Sequence, residues 1–178
     1  MLYLDFSILN FIQTHMRTAF GDKIMPIITA LGNAGVVWII LAIVLCMIPK
    51  YRKNGVALII ALVLDVVFCN LLLKPIVARP RPFTINNDVK LLIKAPTDFS
   101  FPSGHTACAF SSAFSLWFGK NKLWIPAMIL SVLIAFSRMY LYVHYPSDVL
   151  AGILLGFAVG AVSDMITKLI FRKFSKTE

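Results

Sequence analysis

The sequence predicts an all-α integral membrane protein, a bundle of about five transmembrane helices preceded by an amphipathic helix at the membrane surface. Three observations carry this expectation. Apolar residues make up 59% of the 178 positions with glycine left out, against roughly 45–50% with glycine included in soluble domains. Charged residues are only 14%, and mean hydropathy is +0.83, which excludes a disordered chain, a coiled coil and an ordinary cytosolic enzyme. The 17 Lys and Arg against 8 Asp and Glu give a net charge of +9. These cations sit in short clusters between apolar runs, a pattern of membrane topology rather than of a nucleic-acid partner.

The elements follow in chain order. Leu4, Ile8, Phe11, Ile12, Met16 and Phe20 recur at helical spacing opposite Asp5, Asn10, Gln13 and Arg17. They predict an interfacial helix within residues 1–20, with His15 as a bystander on it. This stretch is too polar for a cleavable signal peptide, so the mature chain is expected to begin at Met1. A span needs about 20 apolar residues, and five runs approach or meet this: 27–48, 56–73, 106–118, 123–136 and 149–171. The third and fourth are short and must borrow flanking residues. Gly32, Asn33 and Gly35 interrupt the first run; if 22–33 stands apart, the chain has six hydrophobic helices. Cys46, Cys69 and Cys108 are far apart inside apolar runs, without disulfide or metal spacing. Gly152, Gly156 and Gly160 at four-residue spacing predict a close helix approach. The whole chain, 1–178, reads as a single membrane-embedded domain.

Five crossings put the termini on opposite sides. Lys50, Arg52, Lys53, Lys120, Lys122, Lys168, Arg172, Lys173 and Lys176 fall on one side, nine in all. Arg17, Lys23, Lys74, Arg79, Arg81, Lys90, Lys94 and Arg138 are the eight on the other. Three of these eight are claimed below for chemistry, and nine against the remaining five predicts a cytoplasmic C-terminus. Loops 74–103 and 138–147 then face the extracytoplasmic side.

Most residues able to do chemistry converge on that face. Lys74 ends the second span, Arg81 follows in a Pro-rich loop, and Ser103, Gly104 and His105 open the third span. Arg138 closes the fourth, and His144 and Asp148 open the fifth. Three cations around a helix N-terminus form a phosphate-binding site: Lys74, Arg81 and Arg138 supply charge and forked donors, and the first amides of the helix near Ser103 lack partners. Gly104 lets a backbone approach an anion closely. His144 and Asp148, four apart at a helix start, read as a nucleophile and the carboxylate that fixes its tautomer. Lys90, Lys94 and Arg79 read as cations snorkelling toward head groups. A metal held by His105, His144 and Asp148 is disfavoured, since three nearby cations repel a divalent ion. No metal and no cofactor are expected.

Lys74 followed after six residues by Arg81-Pro82, then Pro102-Ser103-Gly104-His105, then Ser137-Arg138 with five residues to His144 and three more to Asp148, resembles the three-part signature of the type 2 phosphatidic acid phosphatase superfamily. The resemblance covers residues 74–148 directly. It implies a metal-independent membrane lipid phosphatase working through a phosphohistidine. By position, His144 is then the nucleophile, Asp148 its partner and His105 the proton donor, while Lys74, Arg81, Ser103, Gly104 and Arg138 hold the phosphoryl oxygens. A small chain with an extracytoplasmic site resembles the bacterial undecaprenyl diphosphate phosphatases; phosphatidate and phosphatidylglycerol phosphate phosphatases share the motifs. The expected partners are therefore a lipid phosphate or diphosphate and membrane lipids, with Lys90 and Lys94 available for a second phosphate. A transporter is the alternative from another class, motivated by Asp65, Asn70 and Asp164 inside the spans. Against it, Asp164 lies four residues before Lys168, where an ion pair suffices.

Overall fold

The computed structural model describes residues 2–174, all helix and loop with no strand among them. Met1 and Lys176, used above for the start of the chain and the charge count, lie outside the described residues. Helix α1 (Leu2–Phe11) continues into a π-helical turn, Ile12–Met16. Helix α2 (Ala19–Leu31) begins at Thr18, whose hydroxyl accepts from the Gly21 amide at 3.0 Å, a side-chain cap for an otherwise orphan donor. Then come α3 (Val36–Met47) and α4 (Arg52–Asp65), the latter running on through a π-helical stretch, Val66–Leu73, into α5 (Lys74–Val77). A single turn, α6 (Pro82–Ile85), precedes α7 (Gly104–Phe118), α8 (Trp124–Tyr140) and α9 (Pro146–Phe174).

The expected runs map onto these helices with one difference of form. Run 27–48 is a bent pair, α2 and α3, meeting at 45°. The break falls where Ala34 and Gly35 take positive φ, 50° and 66°, a conformation α-helix cannot propagate. Among the described residues, runs 56–73 and 149–171 lie inside the two helical segments long and apolar enough to cross a membrane, Pro49–Ile85 (37 residues) and Pro146–Lys173 (28 residues), three if the bent pair is one span; α8 is a shorter apolar helix. Side chains such as Ile40 and Ile43 of α3, Val63 of α4, and Leu150 and Leu154 of α9 point outward.

The apolar run of α7 can be short because the helix lies at the centre of the bundle. It packs against α4, α8 and α9 and buries Ser111, Ser112 and Ser115. A helix enclosed by protein need not be as apolar as one facing lipid. Ser111 and Ser112 donate back to the Cys108 carbonyl at 3.0 and 2.8 Å. The glycine triplet explains the intimacy of α7 and α9. A Cβ on Gly156 would stand 2.8 Å from Phe110 Cβ and Ser111 N, and one on Gly160 would stand 2.7 Å from Phe114 Cβ. Asp164 pairs with Lys168 at 2.5 Å, whereas Asp65 Oδ1 is buried without a partner among the described residues.

The N-terminal helix leaves most of its predicted apolar face outward, as an interfacial helix requires. Its polar side faces the protein: Gln13 donates to the Tyr140 carbonyl at 2.8 Å, Tyr142 Oη to Asn10 Oδ1 at 3.0 Å, and Asp5 is buried. Leu4, Ile8 and Phe11 are exposed. Polar groups buried at a protein surface need specific partners, and loops of the bundle supply them. The cations divide between the two ends of the bundle as the sequence suggested. Lys50, Lys53, Lys120, Lys168 and Arg172 line one cavity of about 790 Å³, remote from the helix ends that carry Lys74, Gly104 and Arg138.

Candidate active site

At the other end, a cavity of about 380 Å³ is lined by Lys74, Arg81, Gly104, His105, Arg138 and His144, together with Lys94 and Asp98. The turn between α8 and α9 explains the spacing in the sequence. The Val143 and His144 amides both donate to the Arg138 carbonyl, at 3.2 and 3.3 Å, and Tyr142 takes a positive φ of 59°. The Tyr145 amide donates to Asp148 Oδ2 at 3.0 Å. Arg138, His144 and Asp148 are thus fixed to one another by a turn closed at both ends. His144 precedes α9 rather than lying on it.

His144 is 1% exposed and Asp148 is fully buried. Ring Nδ1 faces Asp148 Oδ2 at 3.5 Å, longer than a hydrogen bond. The tight contact to that oxygen comes from Ser100, whose hydroxyl donates at 2.5 Å. Arg81 Nη1 lies 3.1 Å from His144 Nε2. A guanidinium has only donors, so Nε2 must offer its lone pair and the ring proton sits on Nδ1, toward Asp148. Burial first, then the charges of Arg81, Arg138 and Lys74, hold the ring pKa well below the ordinary histidine value, so the ring is neutral.

The three cations are held differently. Arg81 is braced by the carbonyls of Val143 (2.7 Å) and Asp98 (2.8 Å). The Asp98 carboxylate bridges Arg81 Nη2, at 2.6 Å, and Lys74 Nζ. Burial opposes that carboxylate, but the Lys74 hydrogen bond and the charges of Lys74 and Arg81 outweigh it and hold its pKa below the usual range. Arg138 is 3% exposed. Its Nη1 donates to Thr29 Oγ1 at 2.6 Å, and its Nε has no partner among the described residues. No carboxylate pairs with it among those residues, so this buried guanidinium has unused donors and an unneutralised charge.

His105 Nε2 lies 2.9 Å from Asn33 Oδ1, at the break between α2 and α3. Gly32 makes the room, since a Cβ there would sit 2.9 Å from the His105 ring. Gly104 opens α7 beside Lys74, and a Cβ would lie 3.7 Å from the ammonium. Ser103 is placed otherwise than expected. It is fully buried, its hydroxyl accepts from Thr106 at 2.9 Å, and its amide donates to the Asp148 carbonyl at 3.1 Å. It does not line the cavity: its amide ties the start of α7 to α9, and its hydroxyl is engaged by Thr106 within α7.

Arg79 corrects the snorkelling expectation. Its Nη1 donates to Asp148 Oδ1 (2.6 Å) and Ser147 Oγ (2.7 Å), its Nη2 to Asp5 Oδ2 (2.7 Å), and it lies over the Tyr145 ring at 3.9 Å. The Asp5 carboxyl is pushed up by burial but, on balance, held below its usual range by Ser147 and Arg79. Lys94 reaches the cavity rim, while Lys90 is exposed and does not line it. Asp98, Ser100, Thr29 and Asn33 were not anticipated. The one signal available was the alternation Arg79-Pro80-Arg81-Pro82, which in an extended chain puts both arginines on one side. Among the described residues, no group of three His, Cys, Asp or Glu is arranged to hold a metal.

Comparison with known proteins places the chain. The chain is 38% identical over 131 residues to an undecaprenyl-diphosphatase of Sulfolobus acidocaldarius, covering 73% of this chain and 63% of that protein. It is 34% identical over 143 residues to undecaprenyl-diphosphatase BcrC of Bacillus subtilis, covering 78% and 71%. The crystal structure of a transmembrane PAP2-type phosphatidylglycerolphosphate phosphatase from Bacillus subtilis superposes with a TM-score of 0.75 at 26% identity, over 95% of this chain and 87% of that one. With such a neighbour and its own apolar helices, the chain is a multi-pass membrane protein. The sequence model of the PAP2 superfamily matches residues 54–172, which include every residue of the three-part signature, and the chain belongs to that superfamily.

Proposed function

We propose that the protein is a lipid phosphatase that removes a phosphoryl group from a lipid diphosphate, undecaprenyl diphosphate being the best-supported substrate, through a phosphohistidine on His144. The observation that carries this is the state of the His144 ring, neutral and with Nε2 directed at Arg81 inside a cavity lined by cations. A phosphoryl oxygen that takes the Arg81 N–H releases the Nε2 lone pair for in-line attack on phosphorus. Arg138, Lys74 and Arg81 take up charge on the equatorial oxygens, with the first amides of α7 at Gly104. The P–O bond to the lipid phosphate breaks, and His105 gives its proton to the departing oxygen. His105 then accepts a proton from the water that hydrolyses the phosphohistidine, which restores both rings and yields inorganic phosphate. Asp148, held by Ser100 and Arg79, stabilises the positive charge that develops on His144.

The diphosphate reading rests on relatives named as undecaprenyl-diphosphatases and on Lys94 in the cavity lining. Phosphatidylglycerol phosphate is the second reading, favoured by the structural neighbour. By the charge count, the site faces the extracytoplasmic side. Phosphate release in detergent from polyprenyl diphosphate, phosphatidylglycerol phosphate and phosphatidate, each with EDTA, tests the proposal. Turnover unaffected by EDTA and highest on polyprenyl diphosphate is expected. A strict magnesium requirement would sink the mechanism, and a preference for phosphatidylglycerol phosphate would move the substrate.

A further inference from the structure

One carboxylate already occupies part of the cationic cradle. Asp98 bridges Lys74 and Arg81, two of the three positive groups assigned above to the phosphoryl oxygens. A phosphoryl dianion and the Asp98 carboxylate therefore compete for the same N–H donors. The manner of attachment shows which part of the residue is free to yield. The Asp98 carbonyl stays anchored by Arg81 Nε at 2.8 Å, while its side chain is 52% exposed on the loop between α6 and α7. Arg81 is also held through Nη1 by the Val143 carbonyl. Rotation of the carboxylate into solvent thus exposes Nη2 and the Lys74 ammonium without moving the guanidinium. Arg138, deeper and without a carboxylate, stays open to the anion throughout.

Resting on the phosphatase reading above, we infer that Asp98 is a tethered counter-ion that substrate phosphate displaces on binding and that returns to Lys74 and Arg81 to expel product phosphate. A carboxylate fixed beside the cations acts at high effective concentration. It weakens every anion that lacks further contacts, and inorganic phosphate has none, whereas a lipid substrate is also retained by its tail.

Binding of inorganic phosphate and of orthovanadate to the full-length enzyme in detergent, measured by calorimetry and by competitive inhibition, tests this. Asp98→Asn should tighten both by about tenfold or more, the loss of one direct charge competitor. It should also lower KM, and kcat should not rise, because phosphate leaves more slowly. Asp98→Ser, a second neutral variant at a half-exposed loop position, should do the same. If Asp98 merely positions the two cations, both variants bind phosphate more weakly and KM rises, and that result, like unchanged affinity, overturns the inference. Failure of the wild-type enzyme to bind phosphate competitively with lipid overturns the phosphate-site reading and this one together. Competitive binding that neither variant tightens overturns this one alone.

Discussion

At the scale of single residues, the account depends on a histidine kept neutral by its surroundings. Burial and three nearby cations lower the His144 pKa from the ordinary value of 6.5. The unfolded chain then binds a proton, as pH falls below 6.5, that the folded chain refuses. The stability this group contributes is therefore fully present above that value and is lost as pH falls from it toward the folded pKa. In the ligand-free enzyme, 15N-histidine NMR should show His144 still neutral at about pH 6, where an ordinary histidine is more than half protonated. Acidification from pH 7 to 5 should lower the unfolding temperature more in the wild type than in His144→Gln. Titration of this ring near 6.5 would contradict the arrangement. Residues such as His144, Arg138 and Lys74 stand out in the sequence because an apolar chain has few other uses for them. Thr29 and Asn33 do not, since their roles exist only through partners 109 and 72 positions away. For Ser103 the motif fixes its place at the start of α7 but not that the Asp148 carbonyl would take its amide.

At the scale of elements, α1 is fastened to the site by Asp5 and Arg79. The polar face that periodicity sets opposite the apolar one carries this link, and periodicity reports that a helix has two faces and not what each one meets. The broken span has the same origin. Gly32, Asn33 and Gly35 announce an interruption, but only the packing shows that the interruption receives His105. Arg79 holds Asp148, Ser147 and Asp5 with a fork that lysine cannot reproduce. Removing one partner from a buried ion pair leaves the other uncompensated. Arg79→Ala should destabilise the protein by about 3–5 kcal/mol, readable as a fall in unfolding temperature in detergent. Arg79→Lys should fold, and should lower kcat while leaving KM nearly unchanged, since it alters the orientation of Asp148 and not the phosphate contacts. An unchanged kcat in Arg79→Lys would show that the link to α1 serves packing only.

For the whole molecule, helices running back and forth put the candidate site at one end of the bundle and a basic cavity at the other. Anionic lipid head groups and the positive-inside bias both favour the second end in the cytoplasm. The division of cations between ends was visible in the sequence because loops between apolar runs have nowhere else to lie. The central position of α7 was not visible beyond its shortness and its serines. With the native cysteines removed, a cysteine at Asn87 should react with an impermeant thiol reagent in intact cells, and one at the exposed Lys122 should react only after the membrane is opened. The reverse pattern would put the site in the cytoplasm.

The central claim is that phosphorus is transferred to His144 Nε2, and one experiment isolates it. In His105→Ala with an aryl phosphate, the leaving group needs no proton, so the first step survives, but the water of the second step has lost its base. The phosphoenzyme should therefore accumulate. A single turnover quenched in alkali, where phosphohistidine persists, should give a burst of phenol close to one equivalent and a phosphoryl group on Nε2 of His144 by peptide mass spectrometry. A burst with no modified histidine, or with the phosphoryl group on another residue, would contradict the account.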